Sequence, residues 1–270
     1  FVHDASALFF MRDSAVFGLD GGGKLFIADF QWTHYGWPAW CRKIFGKDDS
    51  QLAECVNSNV PEAGDLDRRF ADALGLPVFK SSLAMEGGGL EVNGRGLLIA
   101  NEELWTSRNP GLTRAVIEKR LKKLPGIRKV VWLPRGLAQD PLHRGTITGR
   151  YVGWGTGGHT DEFVRFADTD TVLLAWPDAV EARRHPVARI NLARMQANFD
   201  ILSHSTDQDG KPLQVIKVPL PRTIDRSIVL SADADTAYSA QWTAASFPPA
   251  EGRREGDTVL QVATASYLNH

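Results

Sequence analysis

The chain has 270 residues, 43% of them hydrophobic and 23% charged, the proportions of an ordinary globular protein. They exclude a disordered chain, a collagen-like repeat and a coiled coil, and no apolar run reaches the roughly 18–20 residues of a membrane span. Lys and Arg number 31 against 32 Asp and Glu, so a net charge of −1 offers nucleic acid no basic field. The sequence opens at Phe1 without an initiator Met, shows no signal or transit peptide, and stops at Tyr267-Leu268-Asn269-His270. A single domain over residues 1–270, truncated at both ends, is the expectation.

In chain order, Met11-Arg12-Asp13 leads into an apolar stretch to Phe17. Gly21-Gly22-Gly23 and Leu25-Phe26-Ile27-Ala28 then complete a hairpin pattern. Leu66, Phe70 and Leu74 share a helical face that Gly75 stops before Val78-Phe79. Leu90-Glu91-Val92 and Leu97-Leu98-Ile99 flank Asn93-Gly94, a strong hairpin signal. Asn109-Pro110 reads as the cap and first turn of a helix with Ile117, Leu121 and Leu124 buried, followed by a strand at Val130-Val131-Trp132-Leu133. Residues 163–166 and 171–176 read as paired strands. Residues 190–202 read as a helix carrying Leu192, Met195, Phe199 and Leu202 on one side. Residues 213–220 and 258–265 read as strands. The order strand, strand, helix, strand recurs, which makes the chain α+β and allows its repeats to close like blades around an axis.

Three segments have the composition of a site. Phe10-Met11-Arg12-Asp13 ends an apolar run on a charge pair, and Met85-Glu86-Gly87-Gly88-Gly89 sets a carboxylate beside glycines. In Gly157-Gly158-His159-Thr160-Asp161, an extended backbone would point His159 and Asp161 to one face, an imidazole to move protons and a carboxylate to hold a cation. The glycine run at 87–89 precedes a hairpin rather than a helix, which argues against a dinucleotide loop. The bland readings are equally definite. Cys41 and Cys55 read as structural thiols in a reducing compartment, and Lys119, Arg120, Lys122 and Lys123 as a solvated helix face. His143 and His204 read as surface residues, and Trp32, Trp37 and Trp40 as core or pocket wall.

Several of these motifs stand in the order of a known family. Met11-Arg12-Asp13, Asp29-Phe30 with Trp37, Glu86-Gly87-Gly88, the run from Asn109-Pro110 to Leu133-Pro134-Arg135-Gly136, and Gly158-His159-Thr160-Asp161 resemble the agmatine deiminase and bacterial-type peptidylarginine deiminase family. Leu202-Ser203, the segment from Val215 to Pro221, and Ser266-Tyr267-Leu268-Asn269 extend the resemblance over nearly the whole chain. It implies a propeller-like ring of five ββαβ modules around one site, and hydrolysis of a guanidinium to a urea and ammonia without metal or cofactor. Carried over by motif, Asp13 and Asp161 would grip the guanidinium, Glu86 would line the pocket, and His159 would be general acid and base. Met11 stands where relatives carry Trp, beside the substrate. The family's nucleophilic cysteine follows a glycine-rich stretch beyond the matching segment, and neither Cys41 nor Cys55 lies in that motif, so no nucleophile is carried over. The resemblance leaves three readings open: a deiminase acting on agmatine or peptidyl-arginine, an inactive guanidinium-binding fragment or pseudoenzyme, and an amidinotransferase. It implies a small-molecule or peptidyl guanidino partner. Charge and hydropathy add the expectation of no nucleic acid and no membrane, and room for a homo-oligomer and a cytoplasmic location complete the expectations.

Overall fold

The computed structural model describes residues 11–46, 49–57, 65–232 and 242–268. After a short helix α1 (Met11–Ser14), strands β1 (Val16–Leu19) and β2 (Leu25–Gln31) form the expected hairpin, with Val16 opposite Ala28 and Leu19 opposite Leu25. Helices α2 (Trp37–Phe45), α3 (Asp49–Asn57) and α4 (Leu66–Leu74) lead to β3 (Val78–Ala84), which joins β2 in parallel. Helix α4 buries Leu66, Asp67 and Ala71, whereas Leu74 is exposed, so its inward face is rotated from the apolar stripe expected.

The second unit repeats this order. Strands β4 (Glu91–Val92) and β5 (Leu97–Asn101) pair across the Asn93-Gly94 turn, and β6 (Lys129–Leu133) lies parallel to β5. Two helices separate β5 from β6, where one was expected: α5 (Glu102–Arg108) and α6 (Arg114–Leu121). Asn109 does not open a helix. It closes α5, and Thr113 caps α6 by accepting from the Val116 amide. The Asn109 amide side chain is spent inside, bonding the backbone of Ala84 and Trp105, so it is not available as a cap.

The third unit is interrupted. Strands β7 (Leu142–Thr148) and β8 (Tyr151–Thr156) form a hairpin in which Arg144 lies over Trp154. Before its sheet is completed, the chain builds a further unit. This consists of β9 (Val164–Phe166), β10 (Thr171–Trp176), α7 (Ala179–Arg184), α8 (Pro186–Ser203) and β11 (Gln214–Pro219), with β9 antiparallel and β11 parallel to β10. Strands β12 (Asp225–Val229) and β13 (Thr258–Val262) then return, and β13 pairs in parallel with β8. The described residues therefore form four small mixed sheets, three of them built as ββαβ, and the fold is α+β.

Burial explains why β5 is apolar at four consecutive positions. Leu97 and Ile99 face one cluster with Val131, Leu133, Phe163, Val172 and Leu174, while Leu98 and Ala100 face another with Phe26, Phe30, Leu83, Trp105 and Ile117. A strand covered on both sides cannot alternate with polar residues. No helix among the described residues is long and apolar enough to cross a membrane.

Cys41 on α2 and Cys55 on α3 are joined in a disulfide, and the Trp37 indole donates to the Cys55 carbonyl at 2.7 Å. The free thiols expected at both positions are absent, and with them goes the argument from cysteine usage to a reducing compartment. The crosslink spans 14 positions. In the chain-entropy account, a loop of that size is worth about 3 kcal/mol. Replacing Cys41 by Ser is expected to lower the unfolding free energy by roughly that amount, read as a fall in urea midpoint. An unchanged midpoint, with two thiols titrating in the folded wild type, would remove the disulfide from the account.

Candidate active site

His159 is the centre of the site, and the backbone before it is fixed from two directions. Asp140 is buried and accepts from the amides of Thr156, Gly158 and His159, the last two at 2.9 and 2.8 Å. From the other side, the Asn101 side chain caps α5 through the Glu103 and Leu104 amides and donates to the Gly158 carbonyl at 2.6 Å. Thr160 adds a hydroxyl bond to the Gly89 carbonyl at 3.1 Å, tying this loop to the glycine turn. His159 and Asp161 do not share the extended backbone expected of them: His159 precedes a 3-10 turn over Thr160–Glu162. Their side chains converge all the same, with Nδ1 of His159 3.9 Å from Oδ1 of Asp161.

Two further carboxylates meet the imidazole. Oδ1 of Asp13, at the end of α1, is 4.0 Å from Nδ1, and Oε2 of Glu86, ahead of the Gly87–Gly89 turn, is 3.5 Å from Nε2. The Gly88 amide donates to Asp13 at 2.7 Å. Any side chain at Gly88 would overlap both the His159 ring and the Asp13 carboxylate, so the close approach requires glycine. Asp13, Glu86, His159 and Asp161 are each at least nine-tenths buried. The Met11 side chain, expected to wall the substrate, lies outside the described residues, as does Phe10.

Sequence reasoning missed Arg108. Its Nε bonds both Glu86 oxygens, at 2.8 and 3.0 Å, both side chains are fully buried, and its Nη2 donates to the Thr156 carbonyl. Nothing in an isolated Arg before Asn-Pro marks it; only the buried partner does. Asp140 went unnoticed for the same reason. A second arginine, Arg12, pairs with Asp161 from a half-exposed position. The protein's own guanidinium groups thus already lie against two of the three carboxylates.

The electrostatics follow from burial and these neighbours. Burial alone would raise Glu86, but the Arg108 guanidinium and the His159 imidazole reverse it and hold the carboxyl at about 2. Burial would lower His159, yet the Glu86 carboxylate 3.5 Å from Nε2 and the charge of Asp13 overcome it and raise the imidazole above its ordinary value. His143 was expected on the surface and is instead buried, against Trp37 and face to face with His34. Burial and the nearby Arg108 charge push it down to about 3.

These two histidines act oppositely on stability. A raised folded value means that His159 contributes stability fully below about 6.5 and loses it as pH rises through the folded value. His143, depressed to about 3, contributes above about 6.5 and loses its share as pH falls toward 3. The imidazole resonances of His159 are therefore expected to titrate above 6.5, and the stability gap between wild type and His159→Asn to narrow as pH rises. A His159 titration below 6.5 would reverse that assignment.

Beside Asp13, a small cleft open to solvent is lined by Ser14, Val16, Phe30, Trp32, Asp67 and Met85. Asp67 is raised to about 7 by burial and by the neighbouring Asp29 carboxylate, which also pairs with Arg68 at 3.3 Å. Among the described residues, no group of His, Cys, Asp or Glu has the arrangement of a metal site.

The sequence pattern of the Porphyromonas-type peptidyl-arginine deiminase family matches residues 4–270. The chain belongs to that family. It is 33% identical to the agmatine deiminase of Medicago truncatula over 197 residues, covering 72% of this chain and 44% of that protein. The agmatine deiminase of Ectopseudomonas mendocina is 30% identical over 237 residues, covering 86% of this chain and 54% of its own. Among solved structures, the agmatine deiminase of Enterococcus faecalis shares the fold with a TM-score of 0.60 at 20% identity, over 96% of this chain and 58% of that one. The family member described here spans about half the length of the relatives it matches.

Proposed function

We propose that this chain forms the guanidinium-binding part of a deiminase, a hydrolase that converts a guanidino group into a ureido group and ammonia. The observation that carries the reading is the meeting of Asp13, Glu86 and Asp161 around the buried His159. A guanidinium is a planar cation with N–H groups on every side, and convergent carboxylates accept them with charge-assisted bonds. Asp13 and Asp161 hold the substrate, Glu86 sets the imidazole, and Arg12 yields Asp161 to the incoming cation. His159, biased toward its protonated form, serves as acid and then as base.

In this reading a cysteine thiolate attacks the central carbon and forms a C–S bond. Ammonia departs with a proton from His159, which then takes a proton from water. The hydroxide adds to the carbon, the C–S bond breaks, and the ureido product leaves. Cys41 and Cys55 are tied together, so the thiolate is assigned to the remainder of a full-length protein. The ββαβ units would then surround the site as blades. The disulfide also favours a second reading for residues 1–270 alone, namely guanidinium binding without turnover.

Calorimetry with agmatine and with an arginine peptide, followed by an ammonia-release assay, tests both readings. The expected result is binding without turnover by residues 1–270, and turnover by the full-length protein that His159→Ala abolishes. Ammonia release from residues 1–270 that is lost on Cys41→Ser would overturn the assignment of the nucleophile.

A further inference from the structure

The turn before α2 has an unusual backbone. His34, Tyr35 and Gly36 have φ of 48°, 56° and 78°, three successive residues in the left-handed region. Non-glycine residues stay there only where their surroundings over-determine them, and such segments cluster at functional sites. Here the Gly36 amide donates to the Thr33 hydroxyl at 3.1 Å, and the Trp37 amide donates to the carbonyls of Thr33 and His34 at 3.0 and 3.2 Å. Gly36 lies directly over the buried Arg108 guanidinium, where a side chain would collide, so the turn is held against the arginine that fixes Glu86.

The turn delivers Tyr35 to the site. Its hydroxyl donates to Oδ2 of Asp13 at 3.1 Å, while Oδ1 is taken by the Gly88 amide at 2.7 Å. Its ring centroid lies 5.8 Å from that of His159 and 5.2 Å from that of Trp32. We infer that Tyr35 is a positioning residue: it locks Asp13 in the rotamer that receives a guanidinium, and the left-handed turn exists to place it. With one donor on each oxygen, the Asp13 carboxylate cannot rotate, and its remaining lone pairs have one fixed direction. Burial, reinforced by the Asp13 charge, raises the phenol well above its ordinary value, so Tyr35 remains a donor at neutral pH. The inference rests on the guanidinium-binding reading above and names a residue that neither the resemblance nor the motifs assign.

The test is a thermodynamic cycle with agmatine as the probe, using wild type, Tyr35→Phe, Asp13→Asn and the double variant. Tyr35→Phe keeps the ring and removes only the hydroxyl. It is expected to weaken binding about tenfold, with the carbon resonance of the Asp13 carboxyl shifting as its donor is lost. In the Asp13→Asn background the same change is expected to add little, because Tyr35 acts through that carboxylate. Equal affinity of Tyr35→Phe and wild type, or losses that simply add, would overturn the inference while leaving guanidinium binding intact. No binding by wild type itself would overturn the functional reading, and the role of Tyr35 with it.

Discussion

Replacing Arg108 by Met is expected to destabilise the fold by about 3–5 kcal/mol, the cost of leaving one partner of a buried ion pair without the other. Arg108 and Glu86 are both fully buried, and Nε of Arg108 donates to both carboxylate oxygens. With Arg108 gone, burial would dominate at Glu86, which would take up a proton instead of remaining charged. His159 would then lose the anion against its Nε2, and the Thr156 carbonyl would lose a donor next to the loop that carries the imidazole. One substitution thus strikes the core and the site together. The double variant Arg108→Met with Glu86→Gln is expected to recover part of the loss, because an amide is far cheaper to bury than a carboxylate. Urea unfolding of the three proteins decides the matter. A loss below about 1 kcal/mol for Arg108→Met would mean that the pair is solvated and holds nothing in place.

How far a sequence can be read depends on whether the signal is local. The β1–β2 and β4–β5 hairpins were legible because turn residues sit between apolar runs, and those signals act within a few positions. The end of α5 was not legible. Asn109 followed by Pro looks like a helix start until its amide is seen bonded to the backbone of Ala84, on a strand 25 positions earlier. The disulfide was hidden for a similar reason, since nothing in two isolated cysteines says that α2 and α3 bring them together. His143 looked like a surface residue because Asp140 and Arg144 lie close to it in sequence, whereas its neighbours in space are Trp37, Trp40 and His34. The interrupted third unit escaped for want of any local mark, because β8 waits more than a hundred residues for its parallel partner β13.

The site divides along the same line. Asp13, Glu86, His159 and Asp161 stood out because each lies in a short motif, and the family order linked motifs that periodicity could not. The residues that hold them, namely Arg108, Asp140, Asn101 and Tyr35, are ordinary in sequence and acquire their roles only through long-range hydrogen bonds.

Asp161→Asn is expected to weaken agmatine binding by about 2 kcal/mol, roughly thirtyfold, the lower end of what a buried, hydrogen-bonded charge pair is worth. The lower end applies because, in the proposed reading, binding would be an exchange. Asp161 is 2% exposed and already carries the Arg12 guanidinium, so an incoming guanidinium gains that carboxylate only as Arg12 gives it up to water. Arg12 is half exposed and recovers solvent contacts when it leaves, which keeps the exchange favourable. Glu102→Gln is the matched control. That carboxylate pairs with Arg114 at the surface, with 39% of its side chain exposed, and its loss is expected to change binding by less than about 0.5 kcal/mol. Asparagine keeps the shape of aspartate, so the Asp161 variant is expected to fold, and its melting temperature checks that directly. Calorimetry on the two folded variants then separates charge at the site from charge at large: equal affinities would remove Asp161 from the guanidinium site.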